Sequence, residues 1–215
     1  MAYHTTIFSN ALDQGFILSP ERYDPRRLSS QKGTIRVRDV ASISSKHVAP
    51  QPDQDCIILD TTHAVEGFVR INPRNTSNPS IKSNKKEVIA RDVIISRLRP
   101  YLRQVAFIPE SLQGQLPRKS IMCSTEFYVL RSIDSANIAF LVPFLLSPAP
   151  QQVFAASQEG GHHPRFNSET LLDLPIPDGL INSRERISLM VENQAELLRS
   201  LDFEFAQMLE EVEKG

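Results

Sequence analysis

No proline or glycine interrupts residues 183–214, and apolar side chains recur through them at alternating intervals of four and three. The series runs Ile187, Val191, Gln194, Leu198, Leu201, Phe205, Met208, Val212, and seven of these eight are apolar. That period predicts one helix with a narrow heptad seam. About thirty residues at 1.5 Å of rise make a rod of roughly 45 Å. Asn182 is placed to cap it, and Glu185, three residues on, completes a capping-box pattern. Such a rod is longer than a small domain needs, so a partner helix is expected along the seam, with Gln194 as the polar residue that fixes register. The same pattern also fits an amphipathic helix folded onto its own domain.

Charge divides the chain in two. Residues 183–215 carry eight acids against four bases, a local −4 within an overall net charge of −1, so the remainder is +3. Within that remainder, residues 70–131 hold twelve bases and only four acids, Glu87, Asp92, Glu110 and Glu126. A basic middle beside an acidic rod predicts two surfaces with different partners, a polyanion for one and protein for the other. A length of 215 residues allows one sizeable domain and an extension. No apolar run reaches the length of a membrane span, and no charged-then-apolar leader opens the chain. Cys56 and Cys123 lie far apart in apolar, strand-like runs, as expected of a reduced cytoplasmic protein.

Short strand signals recur at 34–37, 56–59, 67–71, 88–89, 93–96, 104–108 and 121–130, separated by clusters of Pro, Asn, Asp and Gly. Residues 1–30 are weakly patterned and read mostly as loop. After Asp134, which with Ser135 can cap a helix over 138–142, the pattern turns helical, with Pro143 kinking or ending that helix. Ser147-Pro148 opens a second helix through Ala155, and Ser168 to Leu172 fits a third. Leu174-Pro175-Ile176-Pro177 must be extended, because proline disfavours helix in the residue before it. The expectation is an α+β fold: a curled mixed or antiparallel sheet with short helices over 1–180, followed by one long coiled-coil type helix over 181–215.

The usual enzyme signatures are missing. There is no Gly-rich phosphate loop ending in Lys-Ser or Lys-Thr, no Gly-x-Ser-x-Gly and no His-Glu-x-x-His. No lysine has an acid two residues before it, as a common nuclease site needs to hold a metal and orient water. His162-His163 is the tempting pair, but adjacent histidines rarely chelate one metal, and a polar loop reaching bases or phosphates fits better. The strongest local signal is Ile94-Ile95-Ser96-Arg97-Leu98-Arg99-Pro100-Tyr101-Leu102-Arg103. Its arginines offer planar forks suited to phosphate oxygens or the guanine edge. On a strand and tight turn, Arg97, Arg99 and Tyr101 would share one face while Leu98 and Leu102 point inward. Lys82, Lys85, Lys86, Arg118 and Lys119 belong to the same basic region, and His162, His163 and Arg165 complete the candidate DNA-contacting set. A solvated edge strand is the plainer alternative.

Several runs also look familiar. Asp92-Val93-Ile94-Ile95-Ser96-Arg97-Leu98-Arg99-Pro100-Tyr101-Leu102 resembles a motif of target recognition domains in the specificity (S) subunits of type I restriction–modification systems. Ser19-Pro20-Glu21-Arg22-Tyr23-Asp24-Pro25, Ser124-Thr125-Glu126-Phe127-Tyr128-Val129-Leu130-Arg131 and Leu171-Leu172-Asp173-Leu174-Pro175-Ile176-Pro177 match further family motifs in the family's order. The last leads into the long helix, as it does in the family. Members typically carry two recognition domains and two spacer helices packed antiparallel, where one of each is seen here. The family's Glu-Gln-x-x-Ile helix start is replaced by Glu185-Arg186-Ile187.

The resemblance implies a non-catalytic, cytoplasmic DNA-recognition subunit that reads double-stranded DNA and directs a partner adenine methyltransferase. A restriction subunit can join, and a homodimer or a second specificity chain forms through the helix. No cofactor is expected on this chain; S-adenosylmethionine belongs to the partner methyltransferase. Two readings from other classes stand beside it: a protein-interaction adaptor of this fold that does not read DNA, and a metal-dependent enzyme centred on His162 and His163.

Overall fold

The computed structural model describes residues 32–49, 56–71, 84–114, 120–159 and 163–214. Its twelve described strands are β1 Ile35–Arg36, β2 Ala41–Ile43, β3 His47–Val48, β4 Cys56–Leu59, β5 Ala64–Val65, β6 Gly67–Val69, β7 Lys85–Val88, β8 Val93–Ser96, β9 Val105–Phe107, β10 Ser120–Cys123, β11 Phe127–Ser132 and β12 Pro175–Ile176. They form a six-stranded sheet ordered β2-β11-β8-β9-β6-β5, a four-stranded sheet ordered β3-β7-β10-β4, and the pair β1-β12. Two pairings are parallel, β6 with β9 and β4 with β10, and the others are antiparallel. The architecture is therefore α+β, with mixed sheets that stay open.

The central strands of the six-stranded sheet are buried on both faces. Along β8, Val93 and Ile95 join one core while Ile94 joins the other; along β11, Tyr128 and Leu130 face the first, and Phe127 and Val129 the second. The first core lies against the helical layer, through Phe140, Phe144, Phe154, Leu171 and Val191. The second lies between the two sheets, through Ile57, Leu59, Val88 and Ile121. This accounts for the unbroken apolar runs in these strands, because a strand covered on both sides has no face left for polar residues. Cys56 and Cys123 are buried and unpaired with each other in neighbouring strands of the smaller sheet. At Gly33 a Cβ would sit 1.9 Å from the Ile176 carbonyl oxygen, so glycine lets the chain run close beside β12 there.

The short helices depart from expectation in their caps. The second-layer helix is Leu141–Leu146, and Pro143 lies in its first turn instead of ending it. That turn's amides have no intrahelical acceptor, so proline costs nothing there. Asp134 does not cap it; its carboxylate accepts from Ala136 N at 3.0 Å and Ser132 Oγ at 2.9 Å in a local turn, while Ser135 takes a left-handed φ of 67°. Helices follow at Pro148–Ala156 and Ser168–Leu172, the latter capped by Asn167, which accepts from Thr170 N at 2.8 Å. Asn182 ends a separate short helix, Asp178–Asn182. The long helix is Arg184–Lys214, and its first backbone bond runs from Ile187 N to the Ser183 carbonyl, so Ser183 rather than Asn182 occupies the capping position.

This helix turns mostly small residues and one arginine toward its own domain: Ser188, Val191, Ala195, Arg199 and Ala206 are its buried positions. Ser188 Oγ donates to the Asn137 carbonyl at 3.0 Å and accepts from Phe140 N at 3.1 Å. Its acids reach back to the basic stretch, Glu192 to Arg91 at 3.2 Å and Asp202 to Arg70 at 3.5 Å. Among the described residues no helix is long and apolar enough to cross a membrane.

Asp92 is the buried carboxylate of the sheet, 1% exposed, held bidentately by Arg131 at 2.9 and 2.7 Å and by Ile89 N at 2.9 Å. Burial pushes its pKa up against the pull of that guanidinium. Removing one partner leaves the other uncompensated. Asp92→Ala is expected to cost about 3 kcal/mol of stability, read as a lower urea midpoint at unchanged slope.

Candidate nucleic-acid interface

Where β8 and β11 emerge from between their covers, the apolar pattern stops and charge begins. β8 ends at Ser96, and Arg97 follows; β11 is preceded by Ser124, Thr125 and Glu126. The Arg97 amide donates to the Glu126 carbonyl at 2.9 Å, which aligns the two side chains, and Arg97 Nε reaches Glu126 Oε2 at 3.1 Å. From the other side, Arg165 grips the same carboxylate with Nε at 2.9 Å and Nη2 at 2.6 Å. Two guanidiniums on one carboxylate hold Glu126 down to about 2, far below an ordinary glutamate. The Arg97 and Arg165 side chains remain 35% and 39% exposed, so both forks are oriented and still reachable.

Tyr128 forms the floor beside them. Its ring lies under Lys86 Nζ at 5.6 Å and under the Arg97 guanidinium at 6.0 Å, a cation–π arrangement on both counts. Its hydroxyl donates to the Phe166 carbonyl at 3.0 Å, and Phe166 stacks on Phe154 at 4.4 Å. Lys86 Nζ also donates to the Phe127 carbonyl at 2.5 Å, and burial lowers its pKa. Lys86, Arg97 and Arg165 thus stand around a single carboxylate, a local charge of about +2 beside a buried aromatic ring.

The segment 98–103 continues from this cluster. Leu98 bridges to Arg165 in antiparallel fashion, and Arg99 N donates to the Pro164 carbonyl at 3.0 Å. A 3-10 turn, Pro100–Leu102, follows, with Pro100 buried beneath it. Contrary to expectation, Leu102 does not point inward: it is 49% exposed and Tyr101 is 61% exposed. The turn breaks the strand alternation that the inward assignment assumed. Arg103 bends back and donates through Nη2 to the Leu146 carbonyl at 2.8 Å.

Of the candidates, Lys86, Arg97 and Arg165 converge, with Arg99 and His163 on the adjoining segments. The backbone alternation of β7 sends Lys85 to the face opposite Lys86. Lys82, Arg118, Lys119 and His162 lie outside the described residues. Among the described residues no three His, Cys, Asp or Glu side chains gather as a metal site. Glu126 is the organising residue that reading for bases overlooked. Its signal was its rarity: the four acids of 70–131 all hold cations, Glu87 to Lys46 and Arg131, Asp92 to Arg131, Glu110 to Arg91, and Glu126 to Arg97 and Arg165.

The predicted helix seam is divided by the fold. Val191 is buried, and half-buried Ile187 packs on the domain core. Leu198 is half-buried, while Gln194, Leu201, Phe205, Met208 and Val212 are exposed. Met190 and Leu197, 51% and 60% exposed, take the outward places that Val191 and Leu198 were expected to fill. At 100° per residue, Met190, Gln194, Leu197, Leu201, Phe205, Met208 and Val212 fall on one stripe centred about 130° around the helix from the buried positions.

Because Glu126 titrates at about 2 in the folded chain and near 4.5 when free, its charge stabilises the fold fully above pH 4.5. That contribution is lost as pH falls from 4.5 toward 2. Glu126→Gln is expected to flatten the decline in melting temperature across that acid window.

No protein-family model matches the chain, and no curated protein matches it. Solved structures do. A chain from a structure on complex assembly and conformational transition of the type I R-M system superposes with a TM-score of 0.55 and 22% identity, over 83% of this chain and 46% of that one. The HsdS subunit from Thermoanaerobacter tengcongensis superposes with a TM-score of 0.51 and 22% identity, over the same shares. The chain spans a little under half the length of each. The likeness is one of backbone architecture, and by it this chain has an HsdS-like fold.

Proposed function

We propose that the chain is a sequence-specific DNA-recognition subunit of a type I-like restriction–modification or related phage-defence complex. Residues 1–180 form its target recognition domain and 181–215 its spacer and dimerisation helix. The observation that carries this reading is the gathering of Lys86, Arg97 and Arg165 around Tyr128 at one end of an HsdS-like sheet, two of them as oriented guanidinium forks. Forks of that kind suit phosphate oxygens and the guanine edge. The chain itself is non-catalytic and cytoplasmic; a partner adenine methyltransferase carries S-adenosylmethionine, and a restriction subunit can join. The outward stripe of the helix supports pairing with a second copy or a second specificity chain, which would set two recognition domains on a two-part site.

The protein-adaptor reading draws on one fact: Arg70, Arg91 and Arg131 are already paired with acids within the chain. Salt-dependent titration against duplex DNA separates the two. Arg97→Ala with Arg99→Ala is expected to weaken binding and make the log–log salt slope shallower by about two. Absence of salt-dependent binding by the unaltered chain favours the adaptor.

For the helix, Phe205→Glu with Met208→Glu is expected to convert a dimer to a folded monomer in sedimentation. Both residues are exposed, so the fold is unaffected. An unaltered chain that sediments as a monomer overturns the homodimer.

A further inference from the structure

We infer that Tyr101 and Leu102 form an apolar wedge that inserts at a base step of the bound duplex, a mode of contact distinct from that of the surrounding arginines. The inference rests on the DNA-binding reading above. Two adjacent large side chains, 61% and 49% exposed, stand at the tip of a turn whose base is buried at Pro100. Most exposed apolar residues need no explanation, but these are held out by a backbone under strain. Arg99 before the turn and Arg103 after it both adopt the left-handed region, at φ 48° and 53°, where side chains other than glycine are uncommon. Such a residue persists only where its surroundings dictate it.

The surroundings do so here. Arg99 N is fixed to the Pro164 carbonyl at 3.0 Å, and Leu102 N and Arg103 N close the turn onto the Arg99 and Pro100 carbonyls at 2.9 Å each. Arg103 Nη2 is tied to the Leu146 carbonyl at 2.8 Å. The result is a tip whose backbone is fixed, so presenting its two side chains requires no reordering of the main chain. Charge complementarity identifies the occupant. Arg99 and Arg103 flank the tip directly, and the Arg99–Pro164 bond joins it to the segment that carries Arg165, beside Arg97. The Arg99 guanidinium has no hydrogen-bond or ion-pair partner among the described residues. Apolar side chains framed by cations match a duplex, whose phosphates flank a stack that aromatic and leucine wedges can part.

Insertion differs from phosphate contact in a measurable way. An apolar wedge releases no counterions, so removing it lowers affinity equally at every salt concentration, whereas removing arginines changes the slope. The probe is the set of duplexes that the unaltered chain retains from a randomised-sequence pool, one of them carrying 2-aminopurine in place of adenine. Tyr101→Ala with Leu102→Ala is expected to bind about tenfold more weakly with an unchanged salt slope, and to lose the 2-aminopurine fluorescence rise that reports unstacking. Tyr101→Phe, which keeps the ring, is expected to behave as the unaltered chain. Tyr101→Ser alone, checked by circular dichroism, serves if the double variant does not fold. Unchanged affinity, a shallower slope, or no unstacking by the unaltered chain overturns the wedge while leaving DNA binding in place. Failure of the unaltered chain to retain any duplex instead overturns the DNA-binding reading on which the wedge rests.

Discussion

Burial of one sheet on both faces is the constraint from which the rest of this molecule follows. β8 places Val93 and Ile95 on one side and Ile94 on the other, and β11 repeats the arrangement with Tyr128 and Leu130 against Phe127 and Val129. Neither face can meet water, so helices must cover one and a second sheet the other. The charged residues of the same strands are then confined to the ends, where the covers stop. Arg97 and Glu126 are neighbours because each lies one residue beyond the paired strand ends Ser96 and Phe127.

Acids then decide what the bases do. A basic stretch read as sequence suggests a uniformly positive surface, but its few carboxylates divide it into two populations. Asp92 draws Arg131 into the sheet, and Glu110 and Glu192 share Arg91 at the seam with the long helix. The Arg91–Glu192 pair ties the acidic helix to the basic domain. Glu126 lies just before β11. It holds Arg97 and Arg165 while leaving both more than a third exposed, so it orients the forks without withdrawing them. An oriented fork loses less freedom on binding than a loose one.

The long helix combines two faces that a single hydrophobic pattern cannot distinguish. Small side chains, Ser188, Ala195 and Ala206, let it lie close against its own domain, and Arg199 donates to the Ile71 carbonyl at 3.3 Å from that same buried face. Large ones, Leu197, Leu201, Phe205 and Met208, stand outward. Intramolecular packing therefore occupies one face of this helix and leaves large apolar side chains exposed on another. Ile187 and Phe205 lie about five full turns apart and share one azimuth, yet the first packs on the core and the second is exposed, a difference that periodicity does not contain.

Local chemistry determined a good deal by itself. Periodicity placed the long helix, short apolar runs bounded by turn residues placed many of the strands, and the prolines at 175 and 177 dictated the extended approach to the helix. The density of arginine around 97–103 marked the candidate interface. These features depend on residues close in sequence, where propensity and spacing act directly. Only the tertiary structure decided which cations stay outside, which helix face turns inward, and that Leu102 is exposed. Each of those depends on partners far along the chain: Arg165 lies 39 residues from Glu126, and Asn137 lies 51 from Ser188. Whether a given charge or apolar side chain is covered is a property of what packs against it, and no local pattern contains that.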